Sequence, residues 1–153
     1  MLRNPLHLLS LGFGSGLAPV APGTCGTLVA IPLYLLMAQL DPAWYIVLVA
    51  LSFGGGIYLC QYTSNALKLH DHPAIVWDEF VGFWITMIAV PTTWQWILLG
   101  FVLFRVFDII KPWPVGVADA KMKGGFGIMI DDVLAGLYAL ACMQLALLAV
   151  GSW

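Results

Sequence analysis

The sequence has 153 residues, enough for one domain, and we expect that domain to cover residues 1–153. It is 61% hydrophobic and only 9% charged, whereas a water-soluble domain carries about 25% charged residues. The net charge of −2 and the lack of a basic patch give no reason to expect a nucleic-acid partner. The composition therefore predicts the lipid bilayer as a partner and leaves the oligomeric state open.

Four long stretches of the chain contain no Asp, Glu, Lys or Arg. They lie between Arg3 and Asp41, between Asp41 and Lys68, between Glu79 and Arg105, and after Asp132. A helix that crosses about 30 Å of hydrocarbon needs about 20 mainly apolar residues, so each stretch can hold at least one such helix. The spacing predicts an all-α fold, a polytopic membrane helical bundle.

The N-terminal segment 5–27 is rich in glycine and proline. We expect a helical piece at Pro5–Leu11 and an irregular loop after it, because these residues disfavour a continuous helix. Further helices are predicted at Thr27–Leu40, Ala43–Tyr62, Ile75–Val90, Thr93–Lys111 and Met129–Val150. Of these, Ile75–Val90 is short for a complete crossing.

The basic residues indicate how the bundle is oriented. The breaks at 41–42 and 91–93 contain neither Lys nor Arg, whereas the other connections carry them. Since cytoplasmic loops are enriched in Lys and Arg, we expect the N-terminus and the connections 63–74 and 112–128 on the cytoplasmic side.

This topology brings five acidic residues to one membrane depth. Asp78 and Glu79 begin the helix predicted from Ile75, and Asp108 lies near the end of the next helix. Asp131 and Asp132 open the last predicted helix. Carboxylates in a poorly solvated zone repel one another unless a cation offsets their charge. Oxygen ligands favour a hard ion such as Mg²⁺, so the pattern predicts a metal site suited to phosphoryl chemistry.

Two basic side chains accompany the acids. Arg105 and Lys111 lie one turn before and one turn after Asp108, so either could orient a carboxylate or neutralise a phosphate. The glycine-rich pieces around Ser15 and Thr24 are weaker candidates for binding phosphate through backbone N–H groups.

His72 is a further candidate, either as an ordinary loop residue or as a group that binds the substrate or transfers a proton.

Two other interpretations stay open at this point. Acidic residues at helix N-termini are ordinary partners of the helix dipole, and Arg105 with Asp108 could form a plain ion pair. The cluster could also bind ions in a membrane transporter or channel subunit. A transporter needs polar residues along a path to the far side, whereas the outer halves of the predicted helices are Leu, Ala and Val.

Five segments of the chain resemble the phosphatidylglycerophosphatase A family. They are residues 12–16, 21–24, 75–82, 104–114 and 124–136, including the blocks W-D-E-F-V-G, K-P-W-P and G-x-M-I-D-D. The resemblance runs from about Asn4 to Ala141. It implies an all-helical enzyme of the bacterial inner membrane that hydrolyses phosphatidylglycerophosphate to phosphatidylglycerol with Mg²⁺. The distribution of basic residues puts the active site of this multi-pass protein on the cytoplasmic side.

The resemblance also implies roles for particular residues. Metal-binding and catalytic roles fall on the acidic residues of these blocks, namely Asp78, Glu79, Asp108, Asp131 and Asp132. As a mechanistic hypothesis, Asp78, Glu79 or Asp131 positions the attacking water, and Lys111 with Arg105 stabilises the developing charge. Attack by water and an aspartyl-phosphate intermediate are both open.

Overall fold

The computed structural model describes residues 3–68, 74–113, 116–117 and 124–150. Its elements are α1 Pro5–Ser10, a 3₁₀ turn Ser15–Leu17, α2 Pro22–Met37, α3 Pro42–Leu67, α4 Trp77–Thr86, α5 Trp94–Ile110 and α6 Gly124–Val150. Within these ranges the chain forms helices and turns and no strand, which confirms the predicted all-α class.

Helix α2 begins earlier than the sequence pattern indicates. The expected start was Thr27, within an irregular segment, but the helix starts at Pro22. Proline is favoured in the first turn because its fixed φ suits a helix and its missing N–H is not needed there. Close packing compensates for the glycines that follow: a Cβ on Gly26 would lie 2.7 Å from the Cβ of Val76.

Helix α4 forms the centre of the bundle and packs against α2, α3, α5 and α6. It has ten residues, and every residue from Asp78 to Thr86 is buried. Its length of about 15 Å is half the thickness of the hydrocarbon layer. The segment was predicted to be short for a span, and the helix is shorter still, running from Trp77 to Thr86 rather than from Ile75 to Val90.

Glycines let the backbones of α4 and α6 approach closely. A Cβ on Gly136 of α6 would lie 2.6 Å from the carbonyl oxygen of Gly82 in α4. The hydroxyl of Thr86 donates to the carbonyl oxygens of Gly82, at 3.0 Å, and Gly136, at 3.5 Å. Small residues allow such close approach between apolar helices, and here it sets the distance between the acidic residues of α4 and α6.

Two of the helices, α3 and α6, are long and apolar enough to cross a membrane. Only 28% of the most apolar window of each is buried inside the protein, so most of their apolar surface faces outward. The other two charge-free stretches contain no such helix among the described residues. Breaks interrupt both stretches, at residues 11–21 and 87–93. A run without charged residues therefore does not guarantee a continuous helix.

Candidate active site

The five predicted acidic residues converge at one end of the bundle. Asp78 and Glu79 lie in the first turn of α4, Asp108 lies in the last turn of α5, and Asp131 with Asp132 lies in α6. All five are buried, with at most 9% of each residue exposed. Buried carboxylates require cations or hydrogen-bond donors, so their surroundings determine what this site can do.

The position of the α6 pair corrects a prediction. Asp131 and Asp132 were expected to open this helix, but α6 begins at Gly124 and its first turn contains no acidic residue. The two aspartates therefore lie about two turns inside the helix, beyond the reach of the N-terminal dipole. The helix dipole explains the location of Asp78 and Glu79, but it does not explain the α6 pair.

The carboxylates form two groups of three, each compact enough to hold a metal ion. One group is Asp78, Asp131 and Asp132, and the other is Glu79, Asp108 and Asp132. Within each group the three candidate ligand oxygens lie within 4.8 Å of one another. Asp132 belongs to both groups, so it occupies the middle of the cluster.

Arg105 and Lys111 bind the outer members of the cluster. The Nη1 of Arg105 donates a hydrogen bond to Asp108 and lies 3.7 Å from Oε1 of Glu79. The Nζ of Lys111 donates to Oδ2 of Asp131 at 3.0 Å and lies 3.6 Å from Oδ1 of Asp108. Burial lowers the pKa of Lys111, but the charges of Asp131 and Asp108 outweigh this effect and raise it, so the amine stays protonated.

Several polar atoms at the centre of the cluster have no hydrogen-bond partner. Among the described residues, Oε2 of Glu79, Oδ2 of Asp132 and Nε of Arg105 are buried and unbonded. Unsatisfied buried groups are costly and rare, and they often mark a ligand or ion site. Two orphaned acceptor oxygens fit a divalent cation, and the orphaned donor of Arg105 fits an anion.

The N-terminus of α2 reaches the same site. A Cβ on Gly23 would lie 2.7 Å from Oε1 of Glu79 and 3.1 Å from Nη1 of Arg105, so this turn touches the ion pair. The first N–H groups of a helix have no intrahelical acceptor and carry partial positive charge. The predicted residue Thr24 is the third residue of this helix and therefore lies in the turn that adjoins the cluster.

Of the other two predicted substrate-binding residues, the structure describes only Ser15. The hydroxyl of Ser15 donates to the carbonyl oxygen of Gly12 at 2.7 Å, which holds the loop between α1 and α2. His72 lies outside the described residues, so its role stays a prediction.

Sequence reasoning named the turn containing Gly23 but did not recognise this glycine as part of the site. Its lack of a side chain is what lets α2 approach Glu79 and Arg105. The sequence pattern likewise indicated no role for Gly82 and Gly136, which let α4 and α6 approach each other closely. All three lie in the family-like segments, so glycines within those segments were the available signal.

The fold and the site together define a class: an all-helical protein with a buried carboxylate cluster suited to phosphoryl chemistry. The model of the family described as Phosphatidylglycerophosphatase A matches residues 8–147. The chain therefore belongs to this family of phosphatases, as its motifs predict, and it is an enzyme.

Curated relatives cover nearly the whole chain. A phosphatidylglycerophosphatase A of Escherichia coli strain K12 is 52% identical over 137 residues, covering 89% of this chain and 80% of the relative. One from Haemophilus influenzae is 53% identical over 140 residues, covering 90% and 86%. A putative phosphatidylinositol-3-phosphatase of Bacteroides thetaiotaomicron is 40% identical over 153 residues, covering 94% of each. No solved structure matches the chain.

Proposed function

We propose that the protein hydrolyses phosphatidylglycerophosphate to phosphatidylglycerol and phosphate, with Mg²⁺ as its cofactor. The observation that carries this proposal is the buried cluster of carboxylates with unbonded oxygens, beside Arg105 and Lys111. Its relatives support the substrate, since two of them are named phosphatidylglycerophosphatase A. The relative named as a putative phosphatidylinositol-3-phosphatase also carries the name of a lipid phosphatase, with a different headgroup in its name.

The substrate phosphate binds between Arg105 and the N-terminus of α2 in this proposal. Arg105 offers a buried Nε–H that has no acceptor among the described residues. The turn at Gly23 and Thr24 adds backbone N–H groups beside the same guanidinium. An arginine fork and a helix N-terminus are both common binding groups for phosphate.

Mg²⁺ would be held by Asp78, Glu79, Asp108, Asp131 and Asp132, whose oxygen-only donor set fits a hard cation. When bound, it would polarise the phosphate and offset the charge that develops on its oxygens. Arg105 and Lys111 form ion pairs with Asp108 and Asp131 and thereby orient these two carboxylates, as groups around a metal ion do.

The chain supplies candidate groups for the proton transfers as well. Asp78, Glu79 or Asp131 accepts the proton of the attacking water, since each is a buried carboxylate inside the cluster. Lys111 Nζ lies beside Asp108 and Asp131, within the cluster where the phosphate would react. From this position the protonated amine stabilises negative charge on the phosphate. His72 stays a candidate for protonating the glycerol oxygen that leaves.

We place the protein in the bacterial inner membrane as a multi-pass protein with this site on the cytoplasmic side. The apolar outward surfaces of α3 and α6 support a membrane location. The absence of Lys and Arg from the breaks at 41–42 and 91–93 supports the orientation. In this arrangement the carboxylate cluster lies where a phosphorylated lipid headgroup meets the hydrocarbon.

The test is phosphate release by the purified full-length protein in detergent. Phosphatidylglycerophosphate, phosphatidylinositol 3-phosphate and phosphatidic acid are compared at equal surface concentration, with Mg²⁺, with chelator, and with Mg²⁺ restored. We expect phosphatidylglycerophosphate to give the highest kcat/KM and chelation to stop the reaction reversibly. A faster reaction with another lipid would contradict phosphatidylglycerophosphate as the preferred substrate. Full activity in chelator would contradict Mg²⁺ as the cofactor. No phosphate release from any lipid would favour an ion-binding role.

A further inference from the structure

The cluster contains more carboxylates than one Mg²⁺ ion uses. This ion is usually held by one or two carboxylates and keeps several waters. Here five carboxylates form two triads that share Asp132. We propose that the site holds two divalent cations, one in each triad, with Asp132 as the ligand common to both. This inference rests on the proposed function, since it specifies the cation content of the same site.

The size of each triad suits one ion. Its three candidate oxygens lie within 4.8 Å of one another. Ligands on opposite sides of a Mg²⁺ ion are about 4.2 Å apart, so a small closure of the side chains is sufficient. Asp78 and Glu79 are adjacent in α4, and their side chains therefore point about 100° apart around the helix.

Asp132 has the features expected of a shared ligand. It is 2% exposed, and its Oδ2 receives no hydrogen bond from the described residues. Among the described residues, no Lys or Arg forms an ion pair with Asp132, whereas Asp108 pairs with Arg105 and Asp131 pairs with Lys111. The two ions of a binuclear site lie about 3.5–4 Å apart, a separation that one carboxylate can bridge through its two oxygens.

The charge of the site also favours two ions. Carboxylates bind a metal in their deprotonated form, so five carboxylate ligands carry five negative charges, and Arg105 with Lys111 reduces this to three. One divalent ion would leave the site negative and repel a phosphate, whereas two would make it positive by one charge. A second cation would therefore favour the binding of a phosphomonoester.

The test uses Mn²⁺ as the probe on the full-length protein in detergent, without substrate. Equilibrium dialysis measures ions per chain, and electron paramagnetic resonance detects magnetic coupling between two Mn²⁺ ions. We expect two ions per chain and a coupled spectrum. Asp131→Asn should lose one ion and the coupling, and Glu79→Gln should lose the other ion. Asp132→Asn should weaken both by about 10- to 100-fold or more, whereas Asp41→Asn, an exposed carboxylate elsewhere, should keep both.

One ion per chain at saturation in the wild-type protein, or two ions without coupling, would overturn the proposal. The wild-type measurement decides this even where a variant fails to fold. The result is also separable from the proposed function. One ion with Mg²⁺-dependent phosphate release would reject the binuclear site alone. Two coupled ions without phosphate release from any lipid would reject the proposed function alone.

Discussion

The two ends of α4 both adjoin buried polar groups, but these groups differ in whether they have hydrogen-bond partners. At the C-terminal end of α4, a cavity of about 280 Å³ is lined mainly by apolar residues, together with Tyr34 and Tyr45. The hydroxyl of Tyr45 donates to the carbonyl oxygen of Trp84, and that of Tyr34 to Val90 at 3.4 Å. At the start of the helix, the oxygens of the acidic cluster are buried and several receive no hydrogen bond from the described residues.

This difference separates structural polar groups from functional ones. A polar group that serves only the fold is satisfied within the protein, as both tyrosines are. Buried carboxylate oxygens without donors destabilise the fold unless something else binds them. We therefore expect changes at the start of α4 to affect activity and changes at its far end to affect stability alone.

The largest effect should come from neutralising a central carboxylate. Asp78→Asn or Asp131→Asn should lower kcat/KM for phosphate release by more than about 100-fold, because each removes the charge of a proposed metal ligand. The protein should remain folded, as checked by gel filtration in detergent. The matched control is Asp41→Asn, whose carboxylate is exposed at the start of α3 and caps no backbone N–H. Near-normal rates for both variants at saturating Mg²⁺ would show that these residues do not bind the metal.

A smaller loss of kcat/KM is expected when Arg105 is replaced by Lys. Charge is kept, but the guanidinium that contacts Asp108 and Glu79 and offers a free Nε is lost. We expect kcat/KM to fall by about 10- to 100-fold. Steady-state kinetics of Arg105→Lys are compared with Arg3→Lys, the same change at an exposed position. Unchanged kinetics would mean that only positive charge matters there.

The close approach of α4 and α6 can be tested with glycine substitutions. In Gly136→Ala the new Cβ would lie 2.6 Å from the Gly82 carbonyl oxygen, so the helices must separate. We expect a loss of about 1–3 kcal/mol in the free energy of unfolding, together with reduced activity. Thermal unfolding in detergent and phosphate release measure the two effects.

The control is Gly54→Ala in α3, where the added Cβ meets nothing within 4 Å. This variant should be equal to the wild type or more stable by up to about 1 kcal/mol, because alanine favours the helix. Equal stability of Gly136→Ala and Gly54→Ala would refute the role assigned to the close approach.

The smallest effect is expected at the far end of α4. Tyr45→Phe removes one buried hydrogen bond to the Trp84 carbonyl oxygen and should cost about 0.5–1.5 kcal/mol of stability. Its kcat and KM should equal those of the wild type, because Tyr45 lies at the opposite end of α4 from the acidic cluster. A tenfold loss of kcat without loss of folded protein would remove the distinction between the two ends.

Local patterns predicted much of the fold. The helix predicted at Thr93–Lys111 is observed at Trp94–Ile110, since it is bounded by clear breaks at both ends. The starts of α2 and α6 were placed too late, at Thr27 and Met129, because glycines lower helix propensity when considered alone. Packing against neighbours stabilises both helices from Pro22 and Gly124, which no local pattern reveals.

The sequence by itself determined the helical class, the apolar surface, the family and the identity of the acidic candidates, because these depend on composition and local spacing. Only the tertiary structure decided which acids share a triad, that Asp132 belongs to both, and that α2 begins beside Arg105. Asp78 and Asp132 are far apart in the chain, and their separation in space is set by backbone contact at Gly82 and Gly136. Such contact depends on how whole helices pack, and no window of sequence contains that information.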